Sequence, residues 1–368
     1  MALLLEDTVG AQMPGHGIRP ETVDVFEGEG ERAPHEVATL GFAARRVAAL
    51  LGLRCGNRSS SGEGCFWLPM STLSCEEAAA LGIADELQLW GGVVPFPFVA
   101  TKLVSHPLWQ GRGAPAGWRA VPGIGNWTLP GYAVFSREDA GAAGRDLLRN
   151  GAIRCKSPYA RGGHGQTVIH SERQLCDWLD SFAGSMEDGM VVERHLVHAV
   201  TYSVGSSNLR GCEIAYHGEQ RSVVDPGGAT VYGGSVLTIY PGSIGGLLRV
   251  LPEGDIAAAA SAAMRFDRAV RESYAVVASR CNYDVIAGVD SRGQRHVGVL
   301  EQSWRFGGAS MAEVLALECF QAHPGLPWVV AETVESYADE SPPADAIVYW
   351  PGDAESPRKY ARIVRHGH

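Results

Sequence analysis

The 368-residue sequence has no CxxC pair, no long apolar run and no excess of positive charge, and each absence excludes a class of protein. Its eight cysteines, at 55, 65, 75, 155, 176, 212, 281 and 319, show no Cys/His clustering at zinc-site spacing. They read as reduced thiols that fill core space, not as a disulfide framework or a metal knuckle. No run approaches the roughly eighteen apolar residues of a membrane span. The start, Met1 to Asp7, lacks a basic region before its short apolar stretch and is not a secretory signal. These features fit a cytoplasmic setting. Thirty-one basic against forty-one acidic side chains leave a net charge of −10, which argues against nucleic acid or an anionic membrane as the partner.

What is present is the composition of a folded chain, 45% apolar and 20% charged. At about 150 residues per domain this allows two to three folded units. No internal repeat is found. Residues 1–33, rich in Gly, Pro and acids, read as a flexible leader. From His35, apolar residues at three- and four-residue steps predict a helix that Gly52 stops. Ser74-Cys75-Glu76-Glu77 starts a second helix through a capping box. Residues 34–95 thus form a small α/β domain, and the prolines of Gly91–Phe98 predict an extended linker. Ser136 and Ser171 open two further helices, around short strands at 152–155, 167–170 and 190–193. Beyond these come strands at 201–205 and 213–217, an Ala-rich helix over 257–279, a hairpin over 285–303 and a helix over 311–320. Residues 326–368 read as a C-terminal extension.

Two segments carry chemistry. Lys156 precedes the glycine-rich stretch Arg161-Gly162-Gly163-His164-Gly165, whose backbone N–H groups can cradle phosphate beside the lysine charge. It is neither a Walker A loop nor a dinucleotide fingerprint, because a strand and not a helix follows. A plain hairpin turn is the bland alternative. In the second segment, period two places Glu301, Ser303 and Arg305 on one face of a strand, and Asp284 and Asp290 on one face of the strand opposite. Hard oxygen donors so arranged suit Mg²⁺, which bridges to substrate phosphates. A solvated strand face is the alternative, weakened by the adjoining Val297, Val299 and Leu300.

In order along the chain these pieces resemble the ATP-grasp superfamily over residues 35–320. Val99-Ala100-Thr101-Lys102 is similar to its first nucleotide lysine and Lys156 to its second. Met190-Val191-Val192-Glu193-Arg194-His195-Leu196 is similar to its hinge strand, and Glu301-Gln302-Ser303-Trp304-Arg305 to its ExNxR motif. More narrowly, Phe98–Leu108, Thr201–Gly205, Tyr232–Ser235 and Leu300–Ser310 resemble a bacterial group of biotin-carboxylase-like ATP-grasp proteins. The resemblance implies an α+β fold of two subdomains gripping ATP, over residues 96–325 with a lid at about 130–200, preceded by the small α/β domain. It implies ATP and Mg²⁺, or Mn²⁺ in its place. Lys102, Lys156 and the loop 161–165 would hold phosphates, and Val192, Glu193, Arg194 and Leu196 the base or ribose. Asp284, Glu301 and Ser303, with Asp290 as a further candidate, would hold the metal. Arg305 would meet the transferring phosphoryl group, and Gln220-Arg221 resembles a dipeptide near the reaction centre of biotin carboxylase.

The activity implied is a ligase that makes an acyl phosphate from a small-molecule carboxylate and passes it to an amine or thiol, in a chain compatible with a homodimer. Ser303 departs from the pattern, where Asn is usual. A hydroxyl is a poorer Mg²⁺ ligand than an amide oxygen, so a non-catalytic ATP-binding sensor stands as the rival. A biotin-carboxylase-like enzyme is the third reading, although the chain has no Met-Lys-Met biotinylation sequence.

Overall fold

The computed structural model describes residues 20–28, 32–56, 64–160, 165–182, 184–338, 340–353 and 355–367. Its first element overturns part of the expected leader. Thr22-Val23-Asp24-Val25-Phe26 forms β1 (Thr22–Phe26), the middle strand of a parallel three-stranded sheet with Val23 fully buried. Five residues between Gly/Pro-rich segments are too short a run to separate from a loop by periodicity. Helix α1 (Pro34–Leu51) places Pro at its start, where no N–H is needed, and ends on Gly52 at a left-handed φ of 65°. It packs Leu40, Ala44 and Val47 into one core with Phe66 and Leu68.

The sheet is completed by β2 (Arg54–Cys55) and β3 (Cys65–Pro69). After β4 (Leu73–Ser74), α2 (Cys75–Ala80) begins with a true capping box: Ser74 Oγ accepts from the Glu77 N–H, and Glu77 accepts from the Ser74 N–H. Strand β5 (Gly92–Val94) follows. The expected linker is in fact structured. Beyond β5 the chain makes 3₁₀ turns at Pro97–Ala100 and Lys102–Ser105, burying Phe98, Val99 and Leu103. Proline here fixes the φ of a turn instead of extending the chain.

Residues 131–194 build a separate layer from β6 (Gly131–Val134), α3 (Arg137–Leu148), β7 (Ile153–Lys156), β8 (Gln166–Ile169), α4 (Glu172–Ser181) and β9 (Met190–Arg194). The strands pair in the order β6-β9-β7-β8. Ile153, Cys155, Val192 and Met190 point into a core under the two helices, which leaves Arg154 and Lys156 on the opposite face of β7.

That opposite face looks toward an eight-stranded sheet. It contains β10 (Val197–Leu209), β11 (Cys212–Val224) and β12 (Thr230–Pro241), each far longer than the short strands expected here. Helices α5 (Ile244–Val250) and α6 (Asp255–Tyr274) follow. Helix α6 ends earlier than its alanine pattern predicts, because Ala275 turns left-handed with φ 51°. After β13 (Val277–Ala278), the hairpin of β14 (Arg280–Val289) and β15 (Arg295–Ser303) leads to α7 (Ser310–Ala322). The last segment is no appendage. Strands β16 (Val329–Ser336), β17 (Ile347–Trp350) and β18 (Arg358–His366) complete the sheet in the order β15-β14-β10-β11-β12-β16-β18-β17. Among the described residues no helix is long and apolar enough to cross a membrane.

Candidate functional site

Asp284 on β14 lies directly across from Glu301 on β15, and Asn282 directly across from Ser303. A bulge follows. Val285 pairs with Val299, so Leu300 is the extra residue that sets the Asp284–Glu301 end of the hairpin off from the rest of the ladder. Asp284, Glu301, Ser303 and Arg305 all line a cavity of about 1040 Å³ between the eight-stranded sheet and the 131–194 layer. The Asp284 carboxyl is held well above the usual carboxylate range, first by burial and then by the neighbouring Glu301 charge. Gln220 and Asn282 both donate to Asp284 Oδ1, at 2.6 and 3.0 Å, and fix its orientation.

Lys102 enters from the 3₁₀ turn before β6 and places Nζ 2.7 Å from Glu301. It also donates to the Ala160 carbonyl at the start of the glycine-rich stretch. Arg161, Gly162, Gly163 and His164 lie outside the described residues, whereas Gly165 closes the turn by accepting from the Ser157 N–H at 2.9 Å. Arg154 lines the cavity from β7, between Gln166 Oε1 at 2.9 Å and His195 Nδ1 at 3.3 Å. Lys156 shares that face but reaches Glu193 Oε1 at 2.6 Å, and His106 Nε2 meets Glu193 Oε2 at 2.9 Å. Burial alone would raise the Glu193 carboxyl. The Lys156 ammonium and the His106 hydrogen bond outweigh it and hold the group at about 2.

The hinge residues do different jobs. The Val192 side chain is core, and the Arg194 guanidinium donates to the Leu147 and Gly151 carbonyls that end α3. The N–H groups of Arg194 and His195 are given to Pro130 and Ala152, and the Leu196 side chain is buried. Arg221 lines the cavity and bonds Glu332 at 3.1 Å. Asp290 is not brought to this group. It sits past the end of β14, where its carboxylate accepts from the N–H groups of Arg292 and Gln294 and meets His296 Nε2 at 3.1 Å. Shared parity with Asp284 does not help a residue that has already entered the turn and serves it.

Beneath the cavity floor runs a network that the sequence reading missed. Arg280, 1% exposed, makes a bidentate pair with Glu313 of α7, its Nη2 2.6 Å from Oε1, and also donates to the Arg305 carbonyl. The Tyr216 phenol joins Glu313 Oε1 to Asn282 Oδ1, both at 3.1 Å. Gly205 of β10 pairs with Asn282, and any Cβ there would strike the Tyr216 hydroxyl, so this glycine is a passage for the phenol. Two signals could have found more of the site. The same period-two argument that picked Asp284 picks Asn282. The chain also has only three lysines among its thirty-one basic residues, Lys102, Lys156 and Lys359, and two of them line the cavity. Lys359 does so 3.1 Å from Glu335.

The donors fit a hard cation. Among the described residues no three His, Cys, Asp or Glu side chains cluster to hold a metal by themselves, so two carboxylates, a hydroxyl and an amide would need substrate oxygens to complete a shell, as Mg²⁺ ordinarily does.

Against solved structures the chain is similar to the biotin carboxylase from Campylobacter jejuni in complex with β-γ-ATP, at 12% identity, 94% coverage of this chain, 87% of that one and a TM-score of 0.50. It is similar also to the biotin carboxylase domain of the 2-oxoglutarate carboxylase from Hydrogenobacter thermophilus, in complex with MgADP, ADP and bicarbonate, at 11% identity, 94% and 86% coverage and a TM-score of 0.50. The fold is therefore that of the ATP-grasp superfamily. No curated protein matches the sequence. The chain belongs to the family described as "Protein of unknown function (DUF3182)", whose model matches residues 23–364.

Proposed function

We propose that this chain is an ATP-dependent ligase that activates a small-molecule carboxylate as its acyl phosphate and transfers the acyl group to an amine or thiol. The observation that carries the reading is the convergence of Lys102, Asp284, Glu301 and Arg305 on one cavity between two sheets. Lys102 and Arg154 face the triphosphate, joined by Lys156 when the anion draws it from Glu193. The base would lie along the hinge at 193–196, outside the residues that line the cavity, where the Arg194 and His195 N–H groups are already engaged. Asp284 and Glu301 would hold Mg²⁺, with Ser303 beside them, and the cation would supply charge neutralisation to the phosphate oxygens when bound.

In the first step a carboxylate oxygen attacks the γ-phosphorus and ADP leaves. Arg305, held through its own carbonyl by Arg280, offers positive charge where the phosphoryl oxygens gain negative charge. In the second step the nucleophile attacks the acyl carbon, and phosphate leaves with loss of a proton from the nucleophile. Positioning does the work, and no covalent protein nucleophile is required. Burial raises the Cys155 thiol to about 12, which is consistent with an inert core cysteine.

A second reading, a nucleotide binder without turnover, is favoured by Ser303 alone. One assay decides between them. The purified chain is incubated with MgATP and pooled carboxylates, amines and thiols, and ADP release is followed. The ligase reading expects release that depends on the pool, and its absence across the pool with ATP bound supports the binder.

A further inference from the structure

The missing amide at position 303 has a counterpart on the facing strand. Asn282 pairs directly with Ser303, lines the same cavity and already touches Asp284. Its surroundings make the direction of its amide exchangeable. The Tyr216 phenol has one proton and three acceptors within reach: Glu313 Oε1 at 3.1 Å, Asn282 Oδ1 at 3.1 Å and the Cys281 carbonyl at 3.5 Å. Glu313, paired with the Arg280 guanidinium at 2.6 Å, is the strongest of the three acceptors. When the phenol proton goes to Glu313, the phenol oxygen presents a lone pair to Asn282 and is best satisfied by an N–H₂ donor. The amide that turns to satisfy it points its carbonyl oxygen at Asp284. Two oxygens facing each other repel unless a cation lies near them.

Resting on the metal-dependent nucleotide reading above, we propose that Asn282 supplies the amide oxygen that Ser303 lacks. In the cation-free chain Nδ2 donates to Asp284. With a divalent cation on Asp284 and Glu301, the amide turns over, giving Oδ1 to the cation and Nδ2 to Tyr216. The ligand has moved one strand across the hairpin, and the donor set keeps its chemistry. Gly205 belongs to the device, since only an absent side chain lets the Tyr216 hydroxyl reach Asn282 from below.

The test is a Mn²⁺ titration read by electron paramagnetic resonance in the presence of a non-hydrolysable ATP analogue, with analogue affinity in EDTA measured in parallel. Asn282→Ala should weaken Mn²⁺ by roughly tenfold or more while leaving analogue affinity in EDTA unchanged. The exchange variant Asn282→Ser/Ser303→Asn keeps polar groups at both positions, guards against misfolding and should bind Mn²⁺ within about threefold of wild type, since the donor types are the same. Unchanged Mn²⁺ affinity in Asn282→Ala overturns the proposal. So does an exchange variant as weak as Asn282→Ala, because a residue that merely orients Asp284 cannot be replaced from position 303. A wild-type chain that binds no analogue with or without Mn²⁺ overturns the nucleotide reading itself, a result distinct from either.

Discussion

The floor of the cavity and the layer above it each bury one ion pair, and they bury it in different ways. In the floor, Arg280 and Glu313 are 1% and 0% exposed, joined by a fork of hydrogen bonds and tied onward to Tyr216 and the Arg305 carbonyl. Above it, Lys156 and Glu193 are 6% and 2% exposed, joined by a single ammonium contact and braced by His106, whose Nδ1 is buried without a hydrogen-bond partner among the described residues. A guanidinium fork commits its partner to one geometry, whereas a lysine is a compact point charge on a flexible stem. The floor is built to keep Asp284 and Arg305 still. The upper pair leaves its cation the freer of the two to change partner, which the proposed function requires of Lys156.

Three single substitutions and one double variant sharpen or break that contrast. Glu313→Gln should have the largest effect, about 3–5 kcal/mol of stability lost in chemical denaturation, because Arg280 remains charged and unpaired in the interior. Arg280→Met/Glu313→Leu should recover much of that loss while leaving Arg305 poorly held. A Glu313→Gln chain as stable as wild type would mean that the floor pair is no more committed than the upper one.

Glu193→Gln comes next, and its signature is pH dependence. The native carboxyl is held at about 2, below its ordinary value of 4.5, so the stabilisation from this group is fully present above pH 4.5 and disappears as pH falls to about 2. In Glu193→Gln that part of the acid-side decline should be missing from denaturation measured across this window. An identical decline in both proteins would place the acid sensitivity elsewhere. Gly205→Ala should be the mildest, roughly 1–3 kcal/mol from forcing aside the phenol and the Cys281 carbonyl, and should disturb the Tyr216 hydroxyl environment in near-ultraviolet spectra. An unaltered spectrum would show that Tyr216 is not held where the floor needs it.

Much of this contrast was readable in the sequence on one side only. The hairpin acids, the capped helices and the glycine-rich turn announce themselves by local spacing, and motif order supplied the ATP-grasp fold. Asn282 shares the period that singles out Asp284, but an amide two residues from an acid carries no signal of its own until the facing strand and Tyr216 are in place. Arg280, Glu313, Tyr216 and His106 left no local trace, since their meaning comes from contacts between residues 33 to 97 positions apart. Strand β1 and the strands after residue 326 were hidden for another reason. Short or strongly polar strands such as Arg358–His366 reveal their buried face only when the rest of the sheet is present.

The central claim is that Asp284 and Glu301 hold a divalent cation for a nucleotide in this cavity. It is tested most directly by calorimetric titration of ATP into wild type and Asp284→Asn, each with Mg²⁺ and with EDTA. Wild type should bind ATP at least tenfold more tightly with Mg²⁺, and Asp284→Asn should lose that enhancement while its affinity in EDTA is kept. An Asp284→Asn chain with the full Mg²⁺ enhancement, or a wild type that binds no ATP under either condition, would contradict the account.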